Sequence, residues 1–439
     1  MKTNPSAILR LLLAALCCCI LTPTILRAAA EKPNIILIMS DDVGIGDIHC
    51  TGGAFKTPNI DTLAQGGTRF EYCYATPLCG PSRCQLLTGR YPFRTGLNNN
   101  QSANAVSPDH EVMIPTMMKK AGYATASVGK WGQICLGPRQ WGFDEHLVFK
   151  GSGRYWRAQT TTYNVNGENK DLPADTYLPD IMHDFAVDFI ARHKDQPFFL
   201  YYPMSHIHGP IVRTPDSKPD AGADRLYADN VEYMDKLVGK LIGALDRLKL
   251  REKTVVIFAG DNGTAHFGPA TVDGRTISGK KASMLEGGSR VPLIVNWPGI
   301  TPAAAVKPDL IDFSDFFATF AQLGGAALPQ GVTLDSHSFA PQIKGEKGTP
   351  REWAYVELGG KSYARDARYK LTNKGEFFDL KNAPFEELPV AADTKDESAT
   401  AARGKLQNVL SAHPAKPTGG DGANTPRKQG QNKGGTSPF

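Results

Sequence analysis

The chain is organised around one short stretch, Cys79-Gly80-Pro81-Ser82-Arg83-Cys84-Gln85-Leu86-Leu87-Thr88-Gly89-Arg90. Gly80 and Pro81 favour a tight turn, Ser82 is a residue type that caps helices, and the apolar residues that follow suit a short buried helix. Cys79 would then lie where a helix dipole and free backbone N–H groups favour negative charge. The local pattern also fits a structural interpretation, in which Cys79 is a small buried hydrophobic side chain beside a capped helix.

The complete string is more specific than its parts. It resembles the motif Cys-x-Pro-Ser-Arg-x-x-x-x-Thr-Gly of the sulfatase family, in which a dedicated enzyme oxidises the cysteine to formylglycine. The resemblance implies that Cys79 is the precursor of the nucleophile and that Arg83 orients the formylglycine by hydrogen bonds. It also implies a maturation partner, either a formylglycine-generating enzyme or an anaerobic sulfatase-maturating enzyme. The similarity extends over roughly Lys32 to Leu380 and includes the segment Val291 to Gly299.

The N-terminus predicts export. Two basic residues precede the apolar run 11–26, and Ala28-Ala29-Ala30 provides a small-residue cleavage pattern. A membrane span needs about 20 uninterrupted apolar residues, and Pro23 and Arg27 break this run too early. We therefore predict that residues 1–30 are a signal peptide, that the protein is periplasmic or secreted, and that it has no membrane span.

Length and charge limit the possible functions. A chain of 439 residues, of which 41% are hydrophobic, can bury the core of one large domain and a smaller one. The signal segment and the segment from His413 onward each contribute +3 to the formal net charge of +5, which leaves −1 for the body of the protein. The body therefore has no basic excess that would predict a nucleic-acid partner.

Apolar runs and amphipathic segments alternate along the chain. Residues 34–39 form a continuous apolar run, typical of a strand that is buried on both faces. Strands near 124–129, 197–203 and 254–259 alternate with helices near 114–121, 178–193 and 228–248. This pattern predicts an α/β fold with a large, mostly parallel sheet sandwiched by helices.

The C-terminal part has a different pattern. Four short alternating segments between Arg351 and Leu380 predict a smaller antiparallel sheet, followed by a helix near 399–410. The residues from His413 onward are rich in Gly, Pro, Asn and Lys and lack apolar periodicity. We predict an N-terminal α/β catalytic domain at 31–348, a C-terminal α+β subdomain at 349–412 and a disordered tail at 413–439. The tail should be dispensable for turnover of a small aryl sulfate.

Acidic residues follow two of the predicted strands. Asp41 and Asp42 come directly after the first, and Asp261 and Asn262 follow the strand 254–259. Each pair alone also fits a solvated turn. In the sulfatase family the matching residues form a calcium site. The resemblance implies that one Ca²⁺ is bound by the oxygen atoms of Asp41, Asp42, Asp261, Asn262 and the formylglycine made from Cys79.

Three cationic positions match the family pattern in order and setting. Lys130 lies in Gly-Lys-Trp, Lys281 stands five residues before Glu286-Gly287-Gly288, and His208 follows a buried strand. A lone lysine or histidine is usually structural or a solvated surface group. The resemblance implies that these side chains bind the sulfate, with His208 or Lys281 as the general acid.

One position departs from the family pattern. After Gly-Lys-Trp the family commonly has a histidine that contacts the formylglycine, whereas this chain has Gly132 and then Gln133. His206 lies two residues before His208 and, in an extended segment, would point to the same side. We predict that His206 is catalytic and assists the release of sulfate in place of the absent histidine.

The sequence thus predicts an exported sulfatase that acts on sulfate esters, with a sulfated carbohydrate as the best-matched substrate. Two alternatives stay open. One is a phosphodiester or phosphonate monoester hydrolase of the same alkaline-phosphatase-like superfamily. The other is a catalytically impaired binding protein for sulfated glycans. This alternative is suggested by Gly132, which stands where the family commonly has a histidine.

Overall fold

The structure is a computed structural model that describes residues 32–131, 133–265, 268 and 270–416. The predicted signal peptide at 1–30, Gly132 and the part of the predicted tail beyond Lys416 lie outside the described residues. The packed chain extends past the predicted start of the tail, because His413 is in contact with Tyr91 and Trp353.

Strands supply the framework of the molecule. In chain order they are β1 (Asn34–Ser40), β2 (Thr68–Tyr74), β3 (Ala124–Lys130), β4 (Glu145–Phe149), β5 (Thr162–Val165), β6 (Glu168–Asp171), β7 (Phe198–Pro203), β8 (Thr254–Gly260), β9 (Thr271–Val272), β10 (Arg275–Thr276), β11 (Arg290–Asn296), β12 (Ala305–Asp312), β13 (Ala354–Leu358), β14 (Lys361–Arg365), β15 (Tyr369–Thr372), β16 (Phe377–Asp379) and β17 (Leu388–Pro389).

The large sheet has the strand order β12-β2-β11-β8-β1-β7-β3-β4-β5-β6. Its centre is parallel, because β1 pairs in parallel with both β7 and β8, and β3 pairs in parallel with β7 and β4. Antiparallel pairs occur where β11 joins its neighbours and where β5 and β6 close one edge. The prediction of a large, mostly parallel sheet is confirmed.

Helices cover both faces of this sheet. In chain order they are α1 (Pro58–Gln65), α2 (Cys79–Thr88), α3 (Pro92–Thr95), α4 (Ile114–Lys120), α5 (Leu178–Arg192), α6 (Ala223–Arg247), α7 (Glu286–Ser289), α8 (Asp315–Gly324), α9 (Ala340–Ile343) and α10 (Glu397–Ala412). Alternate residues of β1 enter two separate cores, with Ile35 and Leu37 in one and Ile36 and Ile38 in the other. A central strand buried on both faces therefore explains the continuous apolar run. In the part of the chain that is described, no helix combines the length and the apolar character needed to cross a membrane.

The second, smaller sheet is antiparallel, in the order β13-β14-β15-β16-β17. Helix α10 packs on it, and the Asp396 side chain caps this helix by accepting hydrogen bonds from the N–H groups of Ser398 and Ala399. The predicted small C-terminal antiparallel sheet with a following helix is confirmed. The two-residue strand β17 has no detectable sequence pattern.

Two local predictions are wrong. Helix α2 begins at Cys79, so Gly80 and Pro81 lie in its first turn rather than in a separate turn. Ser82 is not the N-cap, because the helix begins three residues before it. Its hydroxyl instead donates to the backbone carbonyl of Asp261. The physical reason is that proline is tolerated in a first helical turn, where backbone N–H groups have no intrahelical acceptor.

Candidate active site

The predicted site residues meet at one edge of the large sheet. Strands β8, β1, β7 and β3 are neighbours and run parallel, so their carboxyl ends lie side by side. The segments that leave these ends carry Asp261, Asp41 and His208, and Lys130 is the last residue of β3. This is the edge at which ligands bind in open α/β sheets.

The acidic residues form a buried, mutually bonded group. Asp42 donates its N–H to Asp261 Oδ1 at 3.0 Å, and Asn262 Nδ2 donates to Asp42 Oδ1 at 2.9 Å. Asp41 and Asp261 are fully buried. These carboxylates are thus held in the protein interior, where a negative charge without a counter-charge is energetically costly.

Cationic side chains supply the counter-charges. Lys130 Nζ donates to both carboxylate oxygens of Asp41 at 2.8 and 2.7 Å. Arg83 Nε donates to Asp261 Oδ2 at 2.9 Å. Lys281 donates to Asp42 Oδ1. Each carboxylate of the group therefore has its own cationic partner.

The charges of this group reinforce one another. Burial lowers the pKa of Lys281, but Asp42 and then Cys79 and Asp41 raise it by more, so the net shift is upward. The pKa of Arg83 is likewise raised, against the effect of burial, chiefly by Asp261. Both side chains are therefore cationic at neutral pH.

The acidic group fits a hard cation. Oxygen atoms of Asp41 and Asp261 and the sulfur of Cys79 lie within 4.8 Å of one another, as do ligand atoms of Asp41, Asp42 and His208. Asn262 Oδ1 is buried and has no hydrogen-bond partner within the part of the chain that the structure describes. A buried amide oxygen that accepts no hydrogen bond is energetically costly unless another group, such as a metal ion, interacts with it. Carboxylate and amide oxygens are the ligands that Ca²⁺ prefers.

Cys79 is buried at the first residue of α2, 1% exposed. Asn100 Nδ2 lies 3.5 Å from its Sγ, and Asn100 Oδ1 accepts a hydrogen bond from the N–H of Gly80 at 3.0 Å. Asn100 was missed by sequence reasoning, because it lies in a polar loop without a motif and reaches Cys79 only through the fold.

The two histidines have different environments. His208 Nε2 lies 3.8 Å from Asp42 Oδ2, and its side chain is 26% exposed. His206 is fully buried, and its Nε2 lies 2.9 Å from the hydroxyl of Tyr177. Burial lowers the pKa of His206 to about 3. The structure thus brings His208 to the acidic group, whereas the imidazole of His206 packs among the rings of Tyr155, Tyr177 and Tyr233.

Asp47 is a second residue that sequence reasoning missed. Its carboxyl accepts hydrogen bonds from the N–H of Gly44 at 2.8 Å and from the hydroxyl of Tyr227 at 2.9 Å. Burial raises its pKa to about 7. Through these bonds Asp47 fixes the loop that leaves β1 and carries Asp42.

Comparisons with known proteins agree on one family. The family model described as Sulfatase matches residues 33–326. Human arylsulfatase A is 32% identical over 433 residues, covering 89% of this chain and 83% of that protein. The N-acetylgalactosamine-6-sulfatase of Sus scrofa is 34% identical over 389 residues, covering 80% of this chain and 74% of that protein.

Solved structures share the fold. The crystal structure of Ps i-CgsB in complex with k-i-k-neocarrahexaose superposes with a TM-score of 0.73 at 28% identity, covering 87% of this chain and 92% of that one. The PsFucS1 sulfatase from Pseudoalteromonas sp. has a TM-score of 0.74 at 24% identity, over 87% and 90% of the two chains. Together with the buried site, the family model and the curated relatives define the protein as an enzyme that hydrolyses sulfate esters. The chain belongs to the sulfatase family.

Proposed function

We propose that this protein is an exported sulfatase that uses a formylglycine made from Cys79 and one calcium ion to hydrolyse sulfate esters of a carbohydrate. One observation carries the proposal: Cys79 Sγ lies at the start of α2, within 4.8 Å of carboxylate oxygens of Asp41 and Asp261. A reactive group at residue 79 would therefore stand beside a hard cation and at a helix N-terminus, both of which favour negative charge.

Asp41, Asp42, Asp261 and Asn262 would hold the calcium ion together with the oxygen of residue 79. The ion, when bound, would stabilise the negative charge that develops on oxygen as the S–O bond breaks. Asp41 and Asp261 are also fixed by Lys130 and Arg83, which keep the carboxylates in place. The cationic partners offset the repulsion between carboxylates that burial would otherwise increase.

Formylglycine would supply a hydrated aldehyde, of which one hydroxyl is the nucleophile towards sulfur and the other provides the route by which sulfate is released. Arg83 would orient this group, since its Nη1 is buried and has no hydrogen-bond partner among the described residues. Lys130 and Lys281 would add positive charge around the sulfate. Lys281 and His208 would be the candidates that donate a proton to the departing alcohol. His208 combines contact with the acidic group and partial exposure.

The N-terminal residues support export, and the similar proteins support the substrate class. The pattern of residues 1–30 is that of a cleaved signal peptide. A similar structure was solved in complex with a neocarrahexaose, and a similar relative is named N-acetylgalactosamine-6-sulfatase. These two names support a sulfated carbohydrate as the substrate, and the relative named arylsulfatase A is the reason to include an aryl sulfate in the test. A periplasmic or secreted enzyme would meet such polymers outside the cytoplasm.

The test is a substrate panel. Protein produced together with a formylglycine-generating enzyme is incubated with sulfated oligosaccharides, an aryl sulfate, a phosphodiester and a phosphonate monoester at equal concentrations. The expected result is release of inorganic sulfate from at least one oligosaccharide, with kcat/KM above that for the phosphorus esters and no release by Cys79→Ala. Preference for a phosphorus ester, or tight binding of sulfated glycans without release of sulfate, would overturn the proposal.

A further inference from the structure

We propose that Asn100 is the residue that holds the reacting oxygen of residue 79, by donating a hydrogen bond from its side-chain amide. This inference rests on the proposed function, because the oxygen in question is that of the formylglycine. The Asn100 side chain approaches Cys79 Sγ with Nδ2 at 3.5 Å and Oδ1 at 3.8 Å. The sulfur atom that is replaced by oxygen in formylglycine is thus already close to a potential hydrogen-bond donor.

The orientation of the amide follows from its other contact. The N–H of Gly80 points at Asn100 Oδ1 at 3.0 Å, and a backbone N–H can only donate. The atom that receives this bond must be the carbonyl oxygen, so the NH₂ group faces residue 79. An amide neither gains nor loses a proton at neutral pH. Asn100 would therefore position the oxygen and would not act as an acid or a base.

Gly80 makes this approach possible. A Cβ added at Gly80 would lie 2.5 Å from Asn100 Oδ1, which is shorter than any ordinary van der Waals contact. The crowded atom belongs to a side chain, so Gly80→Ala would push the amide away from residue 79 while leaving a good helix former in α2. Gly80 and Asn100 thus form a matched pair, and each is predicted to depend on the other.

The loop that carries Asn100 is anchored at both sides. Asn98 accepts a hydrogen bond from the N–H of Gly359 at 3.3 Å, and its Nδ2 donates to the carbonyl of Lys416 at 3.0 Å. Asn99 Oδ1 accepts from the N–H groups of Gln101 and Ser102. The backbone around Asn100 is therefore tied to distant parts of the chain through Asn98 and closed into a turn through Asn99, which restricts the side chain as a positioning residue requires.

The experiment compares Asn100→Ala, Gly80→Ala and the double variant with Gln101→Ala, a control that removes an exposed amide side chain from the same loop. Peptide mass spectrometry first measures conversion of residue 79, and rates are expressed per converted enzyme. We expect each single variant to lower kcat roughly 10- to 100-fold with little change in KM, and the double variant to be no slower than either. Gln101→Ala should match the wild type, and all melting temperatures should be similar.

A second readout does not depend on turnover. The aldehyde of residue 79 reacts with an aminooxy probe, whereas its hydrate does not, and a hydrogen bond from Asn100 to the oxygen of residue 79 shifts the balance between the two forms and their reactivity. The labelling rate of Asn100→Ala should differ roughly tenfold from that of wild type, whereas the rate of Gln101→Ala should not differ. The inference is overturned if residue 79 is fully converted but kcat and labelling of Asn100→Ala stay within about twofold of wild type, or if the two single effects multiply. An unconverted thiol in active wild-type protein would instead overturn the proposed function.

Discussion

Asp42 adopts a left-handed backbone conformation, with φ of 61°, which is uncommon for residues other than glycine. Such a conformation costs roughly 1–3 kcal/mol and persists only when the surroundings enforce it. Asn262 and Lys281 bind its carboxylate, and Asp261 accepts its N–H. The strain is thus offset by contacts that direct this carboxylate into the acidic group.

Replacing this residue should remove the metal and the activity together. In Asp42→Ala the proposed calcium site loses one carboxylate, and Lys281 loses its partner in a largely buried position. We expect turnover to fall at least about 100-fold and bound calcium, measured by elemental analysis, to fall with it. Asp216→Ala, which removes an exposed carboxylate that also pairs with a lysine, should change neither. Full activity of Asp42→Ala after exhaustive chelation would contradict the assignment.

His206 should influence stability in acid. Its pKa is lowered from 6.5 to about 3 in the folded protein, so between these values the unfolded chain binds a proton that the folded chain does not. The contribution of His206 to the free energy of unfolding therefore falls as pH falls below about 6.5. Between pH 7 and pH 5 wild type should lose about 2 kcal/mol more than His206→Phe, measured by urea unfolding. Identical pH dependence would show that the imidazole is not buried as described.

The predicted catalytic role of His206 needs a separate measurement. His206→Ala would slow sulfate release if the imidazole assists that step. The ring instead meets the hydroxyl of Tyr177, and a base with a pKa near 3 is weak at neutral pH. We therefore expect His206→Phe to keep kcat within about tenfold of wild type at neutral pH. A loss of 100-fold or more, with the melting temperature retained, would support the catalytic role.

At the scale of elements, the sequence predicted what hydrophobic periodicity controls. β1, β7 and β8 are buried on both faces and appear as continuous apolar runs, so their bounds were predicted within about one residue. The start of α2 was not predicted, because Ser82 and the Gly80-Pro81 pair satisfy the local rules for a cap and a turn. A tertiary contact determines the position of Ser82 instead, because its hydroxyl donates to the carbonyl of Asp261, which directly follows β8.

The same limit applies to the candidate site. Asp41, Lys130, Arg83 and Asp261 stand in long motifs or at strand ends, so the sequence predicted their proximity. Asn100 has no such signal, because its contact with Cys79 depends on the position of a loop. The fold of that loop depends in turn on hydrogen bonds from Gly359 and to Lys416, which are distant in sequence.

Strand β13 carries a buried carboxyl that should make stability sensitive to pH. Glu357 accepts hydrogen bonds from the N–H groups of Phe93 and Lys416, yet burial raises its pKa from 4.5 to about 7. The protonated form is favoured in the folded protein, so this contribution is fully present below pH 4.5 and is lost as pH rises through 7. From pH 4.5 to 8 wild type should lose about 3 kcal/mol relative to Glu357→Gln, measured by urea unfolding. Parallel profiles of the two proteins would contradict this pKa.

At the scale of the whole molecule, the C-terminal residues help to hold the active-site loop. His413 packs against the rings of Tyr91, Phe93, Trp353 and Tyr355. Lys416 then donates its N–H to Glu357 and accepts from Asn98. The loop bearing Asn100 is thus tied to the C-terminal sheet and to the segment that follows α10.

Two truncations separate the packed segment from the rest of the predicted tail. A chain ending at Lys416 should keep the melting temperature and the turnover of an aryl sulfate, because the polar composition beyond it cannot form a core. A chain ending at Ala412 loses the ring contacts of His413, each worth about 0.5–1.5 kcal/mol, and should melt a few degrees lower. Thermal unfolding and aryl sulfate kinetics of the two chains decide. A collapsed melting temperature in the longer chain would show that residues beyond Lys416 belong to the fold.

Mass spectrometry of the peptide that contains residue 79 shows whether the sulfatase acts through a formylglycine at this position. In fully active protein made with a maturing enzyme, we predict that the sulfur of Cys79 is replaced by an aldehyde oxygen. Cys79→Ala should keep the melting temperature and lose all turnover. An unmodified Cys79 thiol in fully active protein would show that the enzyme does not act through a formylglycine.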